Sequence, residues 1–124
     1  MNANSPNRTL TEDLLARAAE DWVSAAEVID LVRQAGVVDP SDCRDLAVGL
    51  IARLLGQGLI SAGDIEGVEH SPWPLSTAEA ILRIASEWAS EEDPFVMPGS
   101  IVWLNTTPRG QVIGEGVWRR ESQP

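Results

Sequence analysis

Apolar residues recur at helical spacing in four segments of the chain, and each recurrence predicts an amphipathic helix. The first segment, TLTEDLLARAAEDW, opens with Thr9 and Glu12 at the spacing of a capping box. The second, AAEVIDLVRQAG, follows a similar capping pair formed by Ser24 and Glu27. These two segments are therefore either separate helices or one helix that bends near Val23.

The third segment, DPSDCRDLAVGLIARLLGQG, has the broadest apolar face of the four. Pro40 suits a first helical turn, and acidic residues near the start complement the helix dipole. The apolar face is formed by Leu46, Ala47, Leu50, Ile51, Leu54 and Leu55. A face of this width predicts neighbours on two sides. The fourth segment, TAEAILRIASEWAS, starts at the capping pair Ser76 and Glu79 and predicts a core helix.

Two short apolar runs, LISAG and SIVWL, predict strands, whereas proline and glycine predict loops in DIEGVEHSPWP and EEDPFVMPG. Near the end of the chain, Thr107-Pro108 suits the start of a short helical turn, and the glycines that follow discourage a long regular element. We therefore expect a mainly α fold with a small β element, an α+β domain with a short antiparallel sheet. We expect one globular domain over residues 9–118, between a disordered tail at 1–8 and a C-terminal tail at 119–124.

The charge is strongly acidic, because 19 acidic residues face 9 basic residues, all of them arginine, and the net charge is −10. Arg119-Arg120 is the longest basic run, so binding to nucleic acid or to an anionic membrane is not expected. Acidic charge either maintains solubility or attracts a basic protein. The sequence shows no secretory signal pattern and no apolar run near the roughly 20 residues that cross a bilayer, and we expect a cytoplasmic protein.

The usual parts of a catalytic site are scarce, and we expect no enzyme. His70 is the single imidazole, and the sequence contains neither Tyr nor Lys as a proton donor or amine nucleophile. Cys43 is the single cysteine, so it forms neither an internal disulfide nor a zinc site by itself. The segment DIEGVE lacks the twelve-residue ligand pattern of a calcium loop. We expect no metal and no cofactor; an enzyme that uses carboxylates would instead need two buried acids in one pocket.

Acidic residues gather in a loop and around the end of the fourth predicted helix. The candidate partner-binding residues are Asp64, Glu66, Glu69, Trp73, Glu87, Glu91, Glu92 and Asp93. Carboxylates at a helix C-terminus oppose its dipole and repel one another, at a cost of about 0.3–1 kcal/mol each, which favours a functional reason for their presence. Trp73, between two prolines, is either a rigid docking residue or part of the core. We expect three other tryptophans in the core: Trp22, Trp88 and Trp103.

The order of elements from Ser24 to Trp118 resembles a winged helix. In this resemblance SAAEVIDLVRQAG is the first helix of a helix-turn-helix pair and DCRDLAVGLIARLLGQG is the recognition helix. LISAG is the next strand, and SIVWL with QVIGEGVW supplies the wing strands. The resemblance implies a DNA-binding transcriptional regulator, or one that has lost DNA binding. An exposed basic stripe from Asp42 to Gln57, joined to Arg109, would support that alternative.

The chain also resembles the small acidic immunity proteins that neutralise bacterial polymorphic or contact-delivered toxins by covering the toxin's active site. The resemblance lies in its size, its acidity and its lack of a catalytic set, and the alanine-rich, all-arginine composition suits a high-GC bacterium. It implies a basic protein partner, a toxin domain with nuclease activity, whose substrate groove accepts acidic side chains in place of phosphates. We therefore expect a protein-binding inhibitor, in which acids steer the partner and Trp73 docks it.

Overall fold

The computed structural model describes residues 8–123, and these residues form five helices and one antiparallel sheet of four strands. The helices are α1 (Leu10–Glu20), α2 (Ala25–Gln34), α3 (Pro40–Gly56), α4 (Thr77–Ala89) and α5 (Pro108–Glu121). The strands are β1 (Val23–Ser24), β2 (Ile60–Glu66), β3 (Glu69–Pro72) and β4 (Trp103–Thr106), in the spatial order β1-β4-β2-β3. The predicted class, a mainly helical α+β domain with a short antiparallel sheet, is confirmed.

Two of the three predicted capping boxes form. At α1 the hydroxyl of Thr9 accepts from the backbone N–H of Glu12 (3.1 Å), and at α4 the hydroxyl of Ser76 accepts from that of Glu79 (3.1 Å). In return each glutamate accepts from the backbone N–H of its capping residue. The Arg120 guanidinium and then the Thr9 N–H lower the pKa of Glu12, and the Ser76 N–H lowers the pKa of Glu79.

The third predicted capping box, Ser24 with Glu27, is wrong. Ser24 does stand at the N-cap of α2, but its side chain makes no capping hydrogen bond. Its backbone belongs to β1, where it pairs with Trp103 of β4, and the carboxylate of Glu27 lies 3.3 Å from Nη1 of Arg17. β1 separates α1 from α2, so these are two helices and not one bent helix.

This difference between caps predicts different costs for two similar substitutions. Ser76→Ala removes a formed cap and should lower the free energy of unfolding by about 1 kcal/mol. Ser24→Ala removes no capping bond and should cost less than about 0.5 kcal/mol. Urea unfolding of both variants checks this, and equal losses would contradict the difference between the two helix ends.

The segment DIEGVEHSPWP is a hairpin and not the expected loop. β2 continues from LISAG to Glu66, and β3 returns from Glu69 after a turn of two residues. Gly67, first in that turn, has a φ of 62°, as a type II′ turn requires. Pro72 is tolerated because β3 is at the edge of the sheet. The strand predicted at SIVWL starts only at Trp103, since Ile101 adopts a φ of 72°, which strands do not accommodate.

The segment QVIGEGVW is helical, so its assignment as a wing strand is wrong. Thr107 caps α5 as expected, because its hydroxyl accepts from the backbone N–H of Gly110 (3.2 Å), but the helix then runs for 14 residues. α5 lies against α1 and includes Arg119 and Arg120, which the sequence placed in a C-terminal tail. Residues 1–7 of the predicted N-terminal tail lie outside the described residues.

The core lies between the helices and one side of the sheet. Trp88 is fully buried, as expected, together with large aliphatic residues: Leu14, Leu15, Ile29, Leu31, Ile51, Leu54, Ile84 and Leu104. Trp22 and Trp103, also expected in the core, are only half-buried. None of the helices in the described part of the chain has the length and apolar character needed to span a bilayer.

Candidate protein-binding surface

Three of the candidate residues are joined in one row by an arginine that the sequence did not single out. The indole N–H of Trp73 donates to Oδ2 of Asp64 (3.1 Å), and the guanidinium carbon of Arg83 lies 3.8 Å from the centroid of the Trp73 ring. Nε of Arg83 in turn donates to Oε1 of Glu87 (3.1 Å). The row therefore connects Asp64 of the hairpin to α4 through the Trp73 ring and the Arg83 guanidinium, which pairs with Glu87.

Trp73 is not the exposed docking residue that the leading interpretation required. Its side chain belongs to the core cluster, its residue is 8% exposed, and Arg83 lies over its ring. Trp73 instead packs on the core of its own domain, which was the alternative interpretation. A partner would have to displace Arg83 to reach the ring, at the cost of the Arg83–Glu87 ion pair.

Glu66 and Glu69 lie at the end of the hairpin, directly opposite each other in the β2–β3 register. Both are exposed, and within residues 8–123 neither carboxylate accepts a hydrogen bond or forms an ion pair. Directly opposed side chains of like charge destabilise a strand pair. Val68, between them in the turn, is 88% exposed. The hairpin end is thus an acidic tip with an exposed apolar residue.

The second acidic group follows the end of α4, whose last turn contains no basic residue. Glu91 and Glu92 are exposed, and in the described part of the chain their carboxylates have no partner. Asp93 differs, because its Oδ1 accepts the backbone N–H of Phe95 (2.9 Å) and so fixes the turn. The indole N–H of Trp88 donates to the carbonyl of Pro94 (2.8 Å) and holds this segment against the core.

The candidate acids therefore form two groups and not a single contact cluster. Asp64 and Glu87 are linked through Trp73 and Arg83, whereas no hydrogen bond or ion pair within residues 8–123 connects the hairpin tip to Glu91 or Glu92. Along α4 the rise of 1.5 Å per residue puts Arg83 about 12 Å from the position of Glu91. A partner that contacts both groups must reach from the hairpin along the second half of α4 to the residues that follow it.

The arginines are largely neutralised by the protein itself. Six of the nine pair with carboxylates: Arg8, Arg17, Arg33, Arg44, Arg83 and Arg120. Of the rest, Arg53 donates to the hydroxyl of Thr11, and Arg109 donates to the carbonyl of Gln57 (3.1 Å). On α3 the charges of Asp42 and Asp45 balance those of the arginines. The basic stripe that a DNA-reading helix would need is not formed by α3.

His70 has a structural contact that the sequence did not reveal. Its Nε2 donates to the carbonyl of Trp103 (2.9 Å), so its ring reaches from β3 across β2 to β4. Gly63 of β2 lies beneath the ring, and a Cβ there would be 2.9 Å from Cε1 of His70 and 2.1 Å from the carbonyl oxygen of Ser71. A glycine inside an apolar strand pattern is the sequence signal for such a close approach.

Cys43 is buried, and its Sγ lies 3.2 Å from the carbonyl oxygen of Val37. Among residues 8–123, no three His, Cys, Asp or Glu side chains are placed together to hold a metal ion. The hairpin tip (Glu66 and Glu69) and the α4 end (Glu91, Glu92 and Asp93) are therefore acidic surfaces, with no metal-binding cluster among the described residues.

Comparison with known proteins gives no relative, since no family model, curated protein or solved structure matches this chain.

Proposed function

We propose that this chain is a protein-binding inhibitor of the immunity type, which neutralises a toxin domain by covering its basic active site. The observation that carries the proposal is the uneven pairing of charges. The exposed carboxylates of Glu66, Glu69, Glu91 and Glu92 have no partner within residues 8–123, whereas most of the arginines are paired with acids. The hairpin tip and the segment after α4 thus each carry exposed negative charge that no arginine of the described residues neutralises.

Such a surface accelerates encounter with a basic partner, because fields of several kT steer association over about one Debye length, roughly 10 Å at 0.1 M salt. Exposed apolar residues close in sequence to the acids offer contact area once the partner has arrived: Val68, Leu75, Leu82 and Met97. In this mechanism the acids determine the association rate, and the apolar contacts determine how long the complex lasts.

The alternative is a winged-helix regulator. One observation favours it: α2 packs on α3, and a β-hairpin follows α3 directly, in the place of a wing. Surface chemistry opposes a DNA contact, because the hairpin tip carries Glu66 and Glu69 and α3 exposes Asp42 and Asp45. We expect no binding to duplex DNA even at low salt, and a gel-shift titration tests this.

Charge reversal at the α4 end tests the proposed function. The proposal predicts that an adjacent open reading frame encodes the toxin domain, and the product of that reading frame is the probe, with growth rescue and association kinetics as readouts. Glu91→Arg/Glu92→Arg should slow association at least about tenfold at low salt and much less at high salt, since screening removes steering. Asp93 is left unchanged because it fixes the turn at Phe95.

The matched control is Glu20→Arg/Asp42→Arg, which changes the net charge of −10 by the same four units at exposed acids far from this segment in sequence. The control should slow association only slightly. Equal slowing by both pairs, or an association rate of the unaltered protein that does not depend on salt, would contradict steering by the α4 end. A neighbouring toxin that neither binds nor is neutralised would contradict the immunity function itself.

A further inference from the structure

A groove with a volume of about 590 Å³ lies between α2 and the loop that follows Asp93. This volume is in the range of ligand-binding sites, roughly 300–1,000 Å³. Its aromatic walls are three half-buried side chains: Trp22, Phe95 and Trp103. Its acidic side chains are Asp21, Glu27 and Asp30. The pairing of β1 with β4 brings Trp22 and Trp103 together, although 80 residues of chain separate them.

Ser24 lines the same groove and leaves a hydroxyl without a partner. The residue is 4% exposed, and within residues 8–123 its hydroxyl makes no hydrogen bond. The backbone N–H of Ala25 donates to the carbonyl of Val102 (3.3 Å), while the next N–H groups of α2 lack the usual side-chain cap. No buried side-chain oxygen or nitrogen of the described residues lacks a hydrogen-bond partner, so the Ser24 hydroxyl must be accessible, and it is available to donate to a ligand in the groove that carries a hydrogen-bond acceptor.

One end of the groove already holds a guanidinium from the chain itself. The guanidinium carbon of Arg33 lies 4.8 Å from the centroid of the Phe95 ring, and its Nη2 donates to Oδ1 of Asp30 (2.7 Å). A cation over an aromatic face with a carboxylate beside it is a favourable arrangement for arginine. The groove therefore already binds one arginine of the chain itself, Arg33, through an aromatic ring and a carboxylate.

Besides Asp30, the groove has two further acids: Glu27 pairs with Arg17 at 3.3 Å, whereas Asp21 pairs with no arginine of the described residues. Trp22 and Trp103 supply aromatic faces, and Asp21 is exposed. Oδ1 of Asp21 accepts only the backbone N–H of Trp22 (2.8 Å), and among residues 8–123 Asp21 forms no ion pair. The carboxylates of the groove repel an anion, so the acceptor opposite Ser24 is best supplied by a neutral carbonyl.

We infer that this groove binds an arginine-bearing segment of a basic protein partner. The guanidinium of the segment lies against Trp22 and Trp103 and pairs with Asp21, and a peptide carbonyl accepts from the hydroxyl of Ser24. This inference rests on the proposed function, and it supplies the aromatic docking contact that the buried Trp73 does not. Phe95 in the groove wall follows Asp93 by two residues, so one partner can contact both the groove and the α4 end.

The inference is tested on the full chain alone, with N-acetyl-Gly-Arg-Gly-amide as the probe and the citrulline peptide as its neutral counterpart. Nuclear magnetic resonance of the ¹⁵N-labelled protein resolves the indole N–H signals of its five tryptophans. The arginine peptide should shift the signals of Trp22 and Trp103 saturably and leave that of Trp118 unchanged, and the citrulline peptide should bind at least about threefold more weakly.

Two neighbouring residues provide the matched variants. Asp21 lines the groove and Glu20 does not, and both are exposed. Asp21→Arg should weaken the binding of the arginine peptide by about five- to tenfold, whereas Glu20→Arg should change its affinity by less than about twofold. Ser24→Ala should weaken the binding of the peptide by about threefold. The substitution removes a hydroxyl that can donate to the peptide and that makes no capping hydrogen bond to α2. Circular dichroism confirms that each variant is folded.

Absent shifts at Trp22 and Trp103, equal binding of the citrulline peptide, or equal losses from Asp21→Arg and Glu20→Arg would each overturn the groove assignment. These outcomes are separable from failure of the proposed function. If the neighbouring toxin still associates at an unchanged rate and strength with the Asp21→Arg protein, the groove is overturned while the inhibitor function stands. If the peptide binds as expected but the toxin is not neutralised, the proposed function fails and the arginine site remains.

Discussion

Replacement of Gly114 by alanine is expected to lower the free energy of unfolding by about 1–3 kcal/mol, although alanine is the better helix former. A Cβ at this position would lie 2.3 Å from the carbonyl oxygen of Leu15 and 2.7 Å from Cβ of Ala19, both on α1. A backbone carbonyl cannot rotate away as a side chain can, so α1 and α5 would have to separate. Gly110→Ala should behave similarly, since its Cβ would lie 1.9 Å from the carbonyl oxygen of Leu59.

Gly116 provides the control on the same helix. No heavy atom outside its own helix and chain neighbours lies within 4 Å of a Cβ placed there. Gly116→Ala should therefore raise the free energy of unfolding by about 0.5–1 kcal/mol, as expected for glycine to alanine inside a helix. Urea unfolding of the three alanine variants measures both signs. A gain at Gly114 as large as that at Gly116 would contradict the close packing of α5 on α1.

These glycines also show where interpretation of the sequence was wrong, and why. In GQVIGEG, three glycines in seven residues indicated turns, because glycine is a poor helix former when it is considered alone. The spacing of four residues between Gly110 and Gly114 instead places both on one helical face, where α1 and the chain at Leu59 come close. Tertiary packing therefore overrides the local propensity, and only the position of α1 makes this evident.

The helices α1 to α4 were predictable because each carries its own apolar stripe, and the caps at Thr9 and Ser76 mark two of their starts. The hairpin was not, since Glu66 and Glu69 are polar, β3 is an edge strand, and its register depends on pairing within the sheet. Local pattern identifies an element when that element buries its own side chains, and fails when pairing alone forms it.

For the candidate surface, the exposure of the acids was predictable from their polarity and from their position in turns and at a helix end. The contact of Arg83 with Trp73 was not, because it depends on how α4 packs beside the hairpin. For the same reason the sequence could not show that Trp22 and Trp103 share a groove, since the β1–β4 pairing brings them together. Residue types could be assigned to the surface, but neighbours across the fold could not.

Asp13→Ala is expected to have the largest effect of the substitutions considered, a loss of about 3 kcal/mol in the free energy of unfolding, since Arg8 loses one of its two carboxylate partners and keeps the other. Asp13 is 2% exposed, and its Oδ1 accepts from Nη1 of Arg8 (2.8 Å) and from Nε of Arg17 (3.2 Å). Arg8 also donates from Nε and Nη2 to the two carboxylate oxygens of Glu121 (2.6 Å each) and lies 4.6 Å from the centroid of the Trp118 ring. The hydrogen bonds to Glu121, and then to Asp13, raise the pKa of Arg8, which keeps its charge.

The loss is large because the alanine leaves Arg8, whose side chain is only 7% exposed, beside Arg17 without the carboxylate between them. Asp45→Ala is the control, since Asp45 also stands in the first half of a helix and pairs with an arginine, Arg44, at 3.2 Å, but its side chain is 68% exposed. That variant should lose no more than about 1 kcal/mol. Thermal and urea unfolding compare the two, and a double-mutant cycle of Asp13→Ala with Arg8→Ala isolates their coupling. Equal losses from Asp13→Ala and Asp45→Ala, or additive losses in the cycle, would contradict a buried network that ties the start of α1 to the last turn of α5.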